Sequence, residues 1–115
     1  TNLARPFDVM LLGMGEDGHF ASLFPSMVND AAMSINASPK IIKTAPHGNP
    51  FWPRVSMNFS MILQSRIIYL LANGENKQKT LHRAKSDRLL PLHHLITQVI
   101  TPVEVVLTQE ETKKE

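Results

Sequence analysis

Two residues with the chemistry of an acid–base pair stand close together near the start of the chain, Asp17 and His19. Imidazole is the usual general base near neutral pH, and a neighbouring carboxylate can orient the ring or stabilise its protonated form. A strand that precedes this pair would deliver both side chains to the carboxyl edge of a sheet, where α/β proteins bind ligands. The alternative is structural, with an Asp that caps the turn and a His that packs in the loop. The residue types alone leave both interpretations open.

The glycines around this pair invite a second interpretation. Residues 13–18 read GMGEDG and match the G-x-G-x-x-G pattern of dinucleotide-binding loops. Glu16 and Asp17, however, would lie beside a pyrophosphate that needs positive potential. The helix that should follow is also cut short by Pro25. The sequence therefore argues against a dinucleotide site.

Four segments have the patterns of strands that could position the pair. Residues 7–12 and 66–72 are apolar runs, the first broken only by Asp8, and such runs are typical of strands buried on both faces of a parallel sheet. Residues 54–61 and 99–107 alternate apolar and polar side chains, which indicates half-buried strands. The first of these strands would end directly before the acid–base pair.

The remaining segments predict short helices and one long connection. Residues 77–86 have a helical pattern, residues 27–35 a weak one, and residues 89–95 predict a turn or a short helix. Residues 38–53 contain four prolines and predict a loop or an extended edge segment. Residues 109–115 predict a charged, frayed tail.

Strands that alternate with helices or long crossings predict an α/β protein. The chain has 115 residues, so residues 1–115 predict a single domain, about half the size of a typical doubly wound one. Because the chain begins with Thr1 and enters a strand almost at once, we expect further residues to precede it; a processed or trimmed chain is the alternative.

Composition excludes several classes of function. There are 12 Lys and Arg against 10 Asp and Glu, and a net charge of +2 is no signature of a nucleic-acid-binding protein. The absence of cysteine excludes disulfides, thiolate metal sites and cysteine nucleophiles. No run has the roughly 18 apolar residues of a membrane span, and no secretory signal opens the chain, so we expect a cytoplasmic protein without membrane contacts. No H-E-x-x-H occurs, and the adjacent His93 and His94 would diverge, so we expect no metal.

One long motif and two weaker ones resemble a known family. Residues 8–25, DVMLLGMGEDGHFASLFP, closely resemble the signature of 6-phosphogluconolactonases, in which GMGEDGH follows a strand and ASLFP comes after a small or hydroxyl residue. Residues 53–56, PRVS, resemble the family's P-x-R-[IV]-T strand, and residues 73–77, NGENK, its T-G-E-x-K turn. Glucosamine-6-phosphate deaminases of the same superfamily share the DGH but then diverge. Phe20 departs from the usual Thr of the family, as does Ser56.

The resemblance implies a fold and an activity. The fold is the three-layer α/β type with a mostly parallel sheet that this family shares with sugar-phosphate isomerases. The implied activity is hydrolysis of a sugar-phosphate lactone, 6-phospho-D-glucono-1,5-lactone, to 6-phosphogluconate in the oxidative pentose phosphate pathway, with no cofactor. The motifs match only the second half of the family's domain. We therefore expect this chain to need a partner that it lacks, the first half of the same domain with its glycine- and serine-rich phosphate loop.

The resemblance also implies roles for individual residues. His19 would be the general base, with Asp17 as its partner. Lactone hydrolysis also needs donors for the oxyanion and cations for the phosphate, for which backbone N–H groups of the glycine turn and two cationic side chains are the candidates. The predicted substrate-binding residues are Gly15, Gly18, Arg54 and Lys77. For the two cations, a solvated lysine and a surface ion pair are the structural alternatives. For the whole chain, the alternatives are an amino-sugar-phosphate isomerase or deaminase and a non-catalytic sugar-phosphate-binding fragment.

Overall fold

A computed structural model describes residues 6–108 of the chain. The strands within these residues are β1 (Met10–Gly13), β2 (Ile41–Lys43), β3 (Val55–Met57), β4 (Ile68–Asn73) and β5 (Val103–Thr108). The α-helices are α1 (Phe59–Ile62), α2 (Glu75–Ala84) and α3 (Pro91–Thr97), and two 3₁₀ turns span Pro25–Met27 and Ala31–Met33. The tail predicted at residues 109–115 lies outside the described residues.

The main sheet has three strands in the order β1, β4, β5, and both pairs are parallel. Met10 pairs with Ile68, which pairs in turn with Val103, and this register continues along the strands. Parallel neighbours need crossover connections, and here helices and long loops supply them. The predicted α/β class with a mostly parallel sheet is confirmed.

This sheet has one face that is buried along β1 and β4, and one open face. The buried face carries Met10, Leu12, Ile68, Leu70 and Ala72. On the opposite face Leu11 is 64% exposed and Leu71 is 41% exposed. The prediction that residues 7–12 and 66–72 are buried on both faces is therefore wrong for the described chain. The apolar runs remain, but only alternate side chains reach the core.

The core lies between the buried face and the segments that cross it. Its largest fully buried side chains include Phe20, Leu23, Phe59, Ile62, Leu92 and Leu95. They come from the loop after β1, from α1 and from α3. The same loop carries the candidate acid–base pair, so packing of the core also fixes that loop.

A buried asparagine ends the predicted strand at residues 54–61 early. β3 stops at Met57, and the Asn58 side chain accepts a hydrogen bond from the backbone N–H of Met61 at 2.9 Å, which caps α1. The same side chain donates to the carbonyl of Ser38 at 2.9 Å and accepts from the backbone N–H of Lys40 at 3.2 Å. Asn58 therefore joins the helix to the approach of β2, which pairs antiparallel with β3.

The remaining predictions hold with shifted ends. The helix predicted at residues 77–86 is α2, which starts two residues earlier, after Gly74 at a φ of +91°. The short helix predicted at residues 89–95 is α3, which begins at a proline, as first helical turns tolerate. The weak helix at residues 27–35 is realised as 3₁₀ turns, and the loop at residues 38–53 contains β2 as an extended edge segment.

Candidate active site

The turn after β1 brings Asp17 and His19 into direct contact. The Nδ1 atom of His19 lies 2.5 Å from a carboxylate oxygen of Asp17, and the backbone N–H of His19 donates to the same oxygen at 3.2 Å. A carboxylate oxygen accepts, so in the neutral ring the proton is on Nδ1 and Nε2 keeps its lone pair. The side chain of His19 is 30% exposed and that of Asp17 is 51% exposed. The geometry therefore presents an imidazole that can take a proton from a molecule outside the loop.

Backbone hydrogen bonds close this turn on itself. The N–H of Gly18 donates to the carbonyl of Gly15 at 3.0 Å, and the N–H of Gly15 donates to the carbonyl of His19 at 2.9 Å. Both predicted glycine donors are thus engaged inside the loop. Gly18 also has a φ of +89°, a conformation that glycine adopts without strain. In the described structure these glycines shape the turn that aims His19.

Gly15 leaves no room for a side chain. A Cβ at this position would collide with Cε1 and Nδ1 of the His19 ring and would lie 2.8 Å from a carboxylate oxygen of Asp17. The imidazole is packed directly over this glycine. The distance between the ring and the Asp17 carboxylate therefore depends on glycine at this position.

We expect Gly15→Ala to displace the imidazole and lower kcat by up to about 100-fold, the cost of misplacing a catalytic group by about 1 Å. The measurement is steady-state kinetics on the full-length product of the gene, with circular dichroism to verify folding. Gly13→Ala is the matched control, because a Cβ there meets no atom within 4 Å. If Gly15→Ala turned over substrate as fast as Gly13→Ala, the packing of His19 on Gly15 would have no catalytic role.

Arg54 and His19 both pack against the same aromatic ring, that of Phe24. The centroids of the Phe24 and His19 rings are 4.5 Å apart, and the Arg54 guanidinium carbon is 5.9 Å from the Phe24 centroid. Arg54 also donates from Nε to the carbonyl of His47 at 2.9 Å and from a terminal nitrogen to the carbonyl of Pro50 at 2.5 Å. Part of the guanidinium thus ties down the proline-rich loop. The structural alternative, a surface ion pair, is not what the described residues show.

Lys77 lies on another side of the turn. It lines a polar cavity of about 260 Å³ together with Glu16, Asn73, Gly74, Glu75 and Asn76. The hydroxyl of Thr80 on α2 donates to the carbonyl of Glu16 at 2.9 Å, which fixes the helix against the turn. Lys77 is therefore close to the loop of the acid–base pair, and its cavity also contains two carboxylates.

A larger cavity lies elsewhere and does not contain the acid–base pair. Its volume is about 680 Å³, and its polar lining includes Ser26, Asp30, Lys40, Lys43, His47 and Asn58. Neither Asp17 nor His19 lines it. The sequence analysis did not single out Ser26 or His47, because His47 has no partner at a recognisable spacing. The fold brings the two side chains into contact and places the His47 ring against that of Phe24.

Between residues 6 and 108 no group of three His, Asp or Glu side chains is arranged to hold a metal ion. No helix in that same range is long and apolar enough to cross a membrane.

Comparison with known proteins identifies similar sequences. The model of a family described as glucosamine-6-phosphate isomerases/6-phosphogluconolactonase matches residues 2–112. The chain is 34% identical over 108 residues to the 6-phosphogluconolactonase of Caulobacter vibrioides, an alignment that covers 92% of this chain and 46% of that protein. It is 36% identical over 103 residues to a rice protein named probable 6-phosphogluconolactonase 3, chloroplastic, covering 88% of this chain and 30% of the rice protein.

Solved structures give the same result for the fold. The chain superimposes on a 6-phosphogluconolactonase from Shewanella baltica with a TM-score of 0.72 and 32% identity, covering 96% of this chain and 47% of that one. For a putative 6-phosphogluconolactonase from Neisseria gonorrhoeae the TM-score is 0.76 at 27% identity, covering 88% and 45%. The chain thus spans less than half the length of the relatives that it matches.

Proposed function

The chain belongs to the family of glucosamine-6-phosphate isomerases and 6-phosphogluconolactonases, and from this premise we propose that it supplies the catalytic pair of a 6-phosphogluconolactonase. The reaction is hydrolysis of 6-phospho-D-glucono-1,5-lactone to 6-phosphogluconate, in the oxidative pentose phosphate pathway. The observation that carries the proposal is the contact between Asp17 and His19, which leaves Nε2 of the ring available as a base. A cytoplasmic location stays a prediction, and a chloroplastic name occurs among the relatives.

The proposed mechanism uses the imidazole twice. Nε2 of His19 removes a proton from water as the water oxygen attacks the lactone carbonyl carbon, and Asp17 stabilises the imidazolium that forms. The tetrahedral intermediate then collapses, the bond from the carbonyl carbon to the ring oxygen breaks, and the imidazolium returns its proton to that oxygen. The product is the open-chain acid, and the base is regenerated. No step requires a metal or a cofactor.

The phosphate of the substrate needs cations, and we assign Arg54 and Lys77 to it. Arg54 stands beside the Phe24 ring that contacts His19, and Lys77 stands beside the turn that carries the pair. A guanidinium can bind phosphate in a bidentate manner, and a lysine near a helix N-terminus adds to the positive potential there. Two carboxylates line the cavity of Lys77, so the support for Arg54 is the stronger of the two.

We expect Lys77→Ala and Arg54→Lys to raise KM and to weaken binding of 6-phosphogluconate, because each removes a charged hydrogen bond to phosphate. Such a bond is worth about 1.5–3 kcal/mol, which corresponds to roughly 10- to 150-fold in affinity. Arg54→Lys keeps the charge and removes the bidentate geometry. Isothermal titration calorimetry on the full-length protein measures the affinity.

Lys79→Ala is the matched control for these variants. Lys79 is on the same helix as Lys77, is exposed and pairs with Glu75 at 3.6 Å, so its loss should leave affinity unchanged. A variant of Arg54 or Lys77 that bound 6-phosphogluconate as tightly as this control would have no role in phosphate binding.

The exposed apolar face of the sheet supports the proposal that a further part of the same domain packs against this chain. Its apolar side chains are Val9, Leu11, Tyr69, Leu71 and Val106, which follow from the strand register. Parallel sheets are normally covered on both faces. The relatives extend over more than twice the matched length. We therefore propose that the remainder of the family's domain packs on this face and contributes the phosphate loop that the motifs do not include.

The proposed substrate class is tested with two lactones. The full-length protein is assayed with 6-phosphogluconolactone and with glucono-1,5-lactone, and the spontaneous hydrolysis rate is subtracted from each. We expect a much higher kcat/KM for the phosphorylated lactone, because remote binding energy at the phosphate supports the reaction at the carbonyl. Equal rates for the two lactones would contradict recognition of a sugar phosphate.

The family description also includes isomerases, so a second candidate is ring opening of an amino-sugar phosphate. The motif at residues 22–25, SLFP, argues for the lactonase, and the relatives named above carry that name. A substrate panel that includes glucosamine 6-phosphate separates the two activities.

A further inference from the structure

A second histidine is stacked behind the candidate base. The His47 ring lies parallel to the Phe24 ring, with an interplanar angle of 8° and a centroid separation of 4.7 Å. The Phe24 ring in turn contacts the His19 ring at 4.5 Å, tilted by 31°. The three rings form a continuous array, the His19–Phe24–His47 stack, in which Phe24 is the buried central member.

Hydrogen bonds at both ring nitrogens fix the plane of His47. Nδ1 lies 2.8 Å from the carbonyl oxygen of Ala45, and Nε2 lies 2.7 Å from the hydroxyl of Ser26. A carbonyl oxygen only accepts hydrogen bonds, so Nδ1 carries a proton. In the neutral ring, Nε2 then accepts a hydrogen bond from the Ser26 hydroxyl. A ring held at both nitrogens cannot rotate without losing a bond. His47 is therefore a rigid surface against Phe24.

The proline-rich loop that carries His47 is itself held in place. Arg54 donates to the carbonyls of His47 and Pro50, and the backbone N–H of His47 donates to the carbonyl of Trp52 at 3.1 Å. The Arg54 guanidinium also packs close to Gly48, where an added Cβ would lie 2.7 Å from a terminal nitrogen. These contacts set the position of the loop relative to Phe24, and through it relative to the base.

We propose that His47 is a positioning residue for His19 and acts through the Phe24 ring. The inference rests on the proposed role of His19 as general base. The bond to Asp17 orients the imidazole from one nitrogen, and Phe24 supports its face. Without a flat partner on its other side, Phe24 has freedom to shift, and the ring of His19 shifts with it. Small displacements of a base matter, since about 1 Å can cost roughly 100-fold in rate.

The kinetic test compares two replacements of His47 in the full-length protein. His47→Ala removes the stacked surface and should lower kcat for 6-phosphogluconolactone about tenfold, with KM changed less than about twofold. His47→Phe restores a flat ring without hydrogen bonds and should recover most of that loss. His82→Ala, at an exposed position on α2, is the matched control and should behave as the wild type.

Three results would overturn the proposal. The first is an unchanged kcat in His47→Ala. The second is a His47→Phe variant as slow as His47→Ala, which would mean that the hydrogen bonds rather than the stack matter. The third is a rise in KM with kcat preserved, which would place His47 against the substrate instead.

A readout that needs no activity separates this proposal from the proposed function. The nuclear magnetic resonance signal of the His19 Cε1–H group senses the ring current of Phe24. We expect it to move in His47→Ala and to stay near its wild-type position in His47→Phe and His82→Ala. Absence of lactone hydrolysis by the wild type would refute the function, whereas an unmoved signal in His47→Ala would refute the positioning role.

Discussion

Replacement of His19 by Asn in the full-length protein is expected to lower kcat by about 10²- to 10⁴-fold, the usual contribution of a positioned general base. Asparagine has no group that can take a proton from water at neutral pH. Affinity for 6-phosphogluconate should remain nearly unchanged, since the base acts in the transition state rather than in binding. Stopped assays with the spontaneous rate subtracted give kcat, and calorimetry gives the affinity. Retention of near-wild-type kcat would remove His19 from the mechanism.

Asp17→Asn provides the comparison within the same turn. The amide oxygen of asparagine can still accept a hydrogen bond from Nδ1 of His19, but it no longer stabilises the imidazolium by its charge. We expect a smaller loss of kcat than for His19→Asn. A larger loss at Asp17 than at His19 would exchange the roles of the two residues. His82→Asn controls for loss of a histidine elsewhere.

Residues 1–115 produced without any further residues are expected to show no lactonase activity above the spontaneous rate. This polypeptide keeps the Asp17–His19 contact but leaves one apolar face of the sheet open. Covering a large apolar side chain is worth about 1.5–3 kcal/mol, while whole domains are stable by only about 5–15 kcal/mol. An uncovered face and open strand edges favour association or unfolding. Light scattering and an activity assay on the same sample test both parts, and a monodisperse monomer with full turnover would contradict the prediction.

Leu11→Glu probes the open face directly. Leu11 is 64% exposed in the described chain, so the change should cost residues 1–115 little stability and should reduce their association. In the full-length protein the proposed cover would bury this position, and a buried carboxylate is costly. We expect the melting temperature of the full-length protein to fall markedly. Leu89→Glu, the same change at a position that is 69% exposed and lies outside the sheet, is the control. Equal melting temperatures for the full-length Leu11→Glu variant and the wild type would contradict the proposal that the rest of the domain covers this face.

Patterns that depend on neighbours in the chain were predictable. The apolar run before Gly13 and the D-G-H turn after it predicted a strand that delivers Asp17 and His19 to one edge, and β1 and its loop are arranged in this way. The helix around residues 77–86 followed from its periodicity in the same manner. These features are local, so the sequence contains the information that specifies them.

Features that depend on distant contacts were not predictable from the pattern. Asn58 sits in a segment that alternates like a strand, and its hydrogen bonds to Ser38 and Lys40, 20 and 18 positions away, join it to another segment where β3 ends. The stacking of His47 on Phe24 joins residues 23 positions apart, the second of which lies in the proline-rich loop. A continuous apolar run also cannot say which of two faces is covered, because both faces carry the same kind of side chain.

The most direct test of the account measures two reactions of the full-length protein in parallel. One assay follows hydrolysis of 6-phosphogluconolactone above the spontaneous rate, and the other follows ammonia release from glucosamine 6-phosphate. We predict catalysed lactone hydrolysis that is lost in His19→Asn, and no ammonia. Ammonia release with lactone opening at only the spontaneous rate would identify an amino-sugar deaminase. Binding of 6-phosphogluconate without either reaction would identify a non-catalytic protein, and both outcomes would contradict the lactonase proposal.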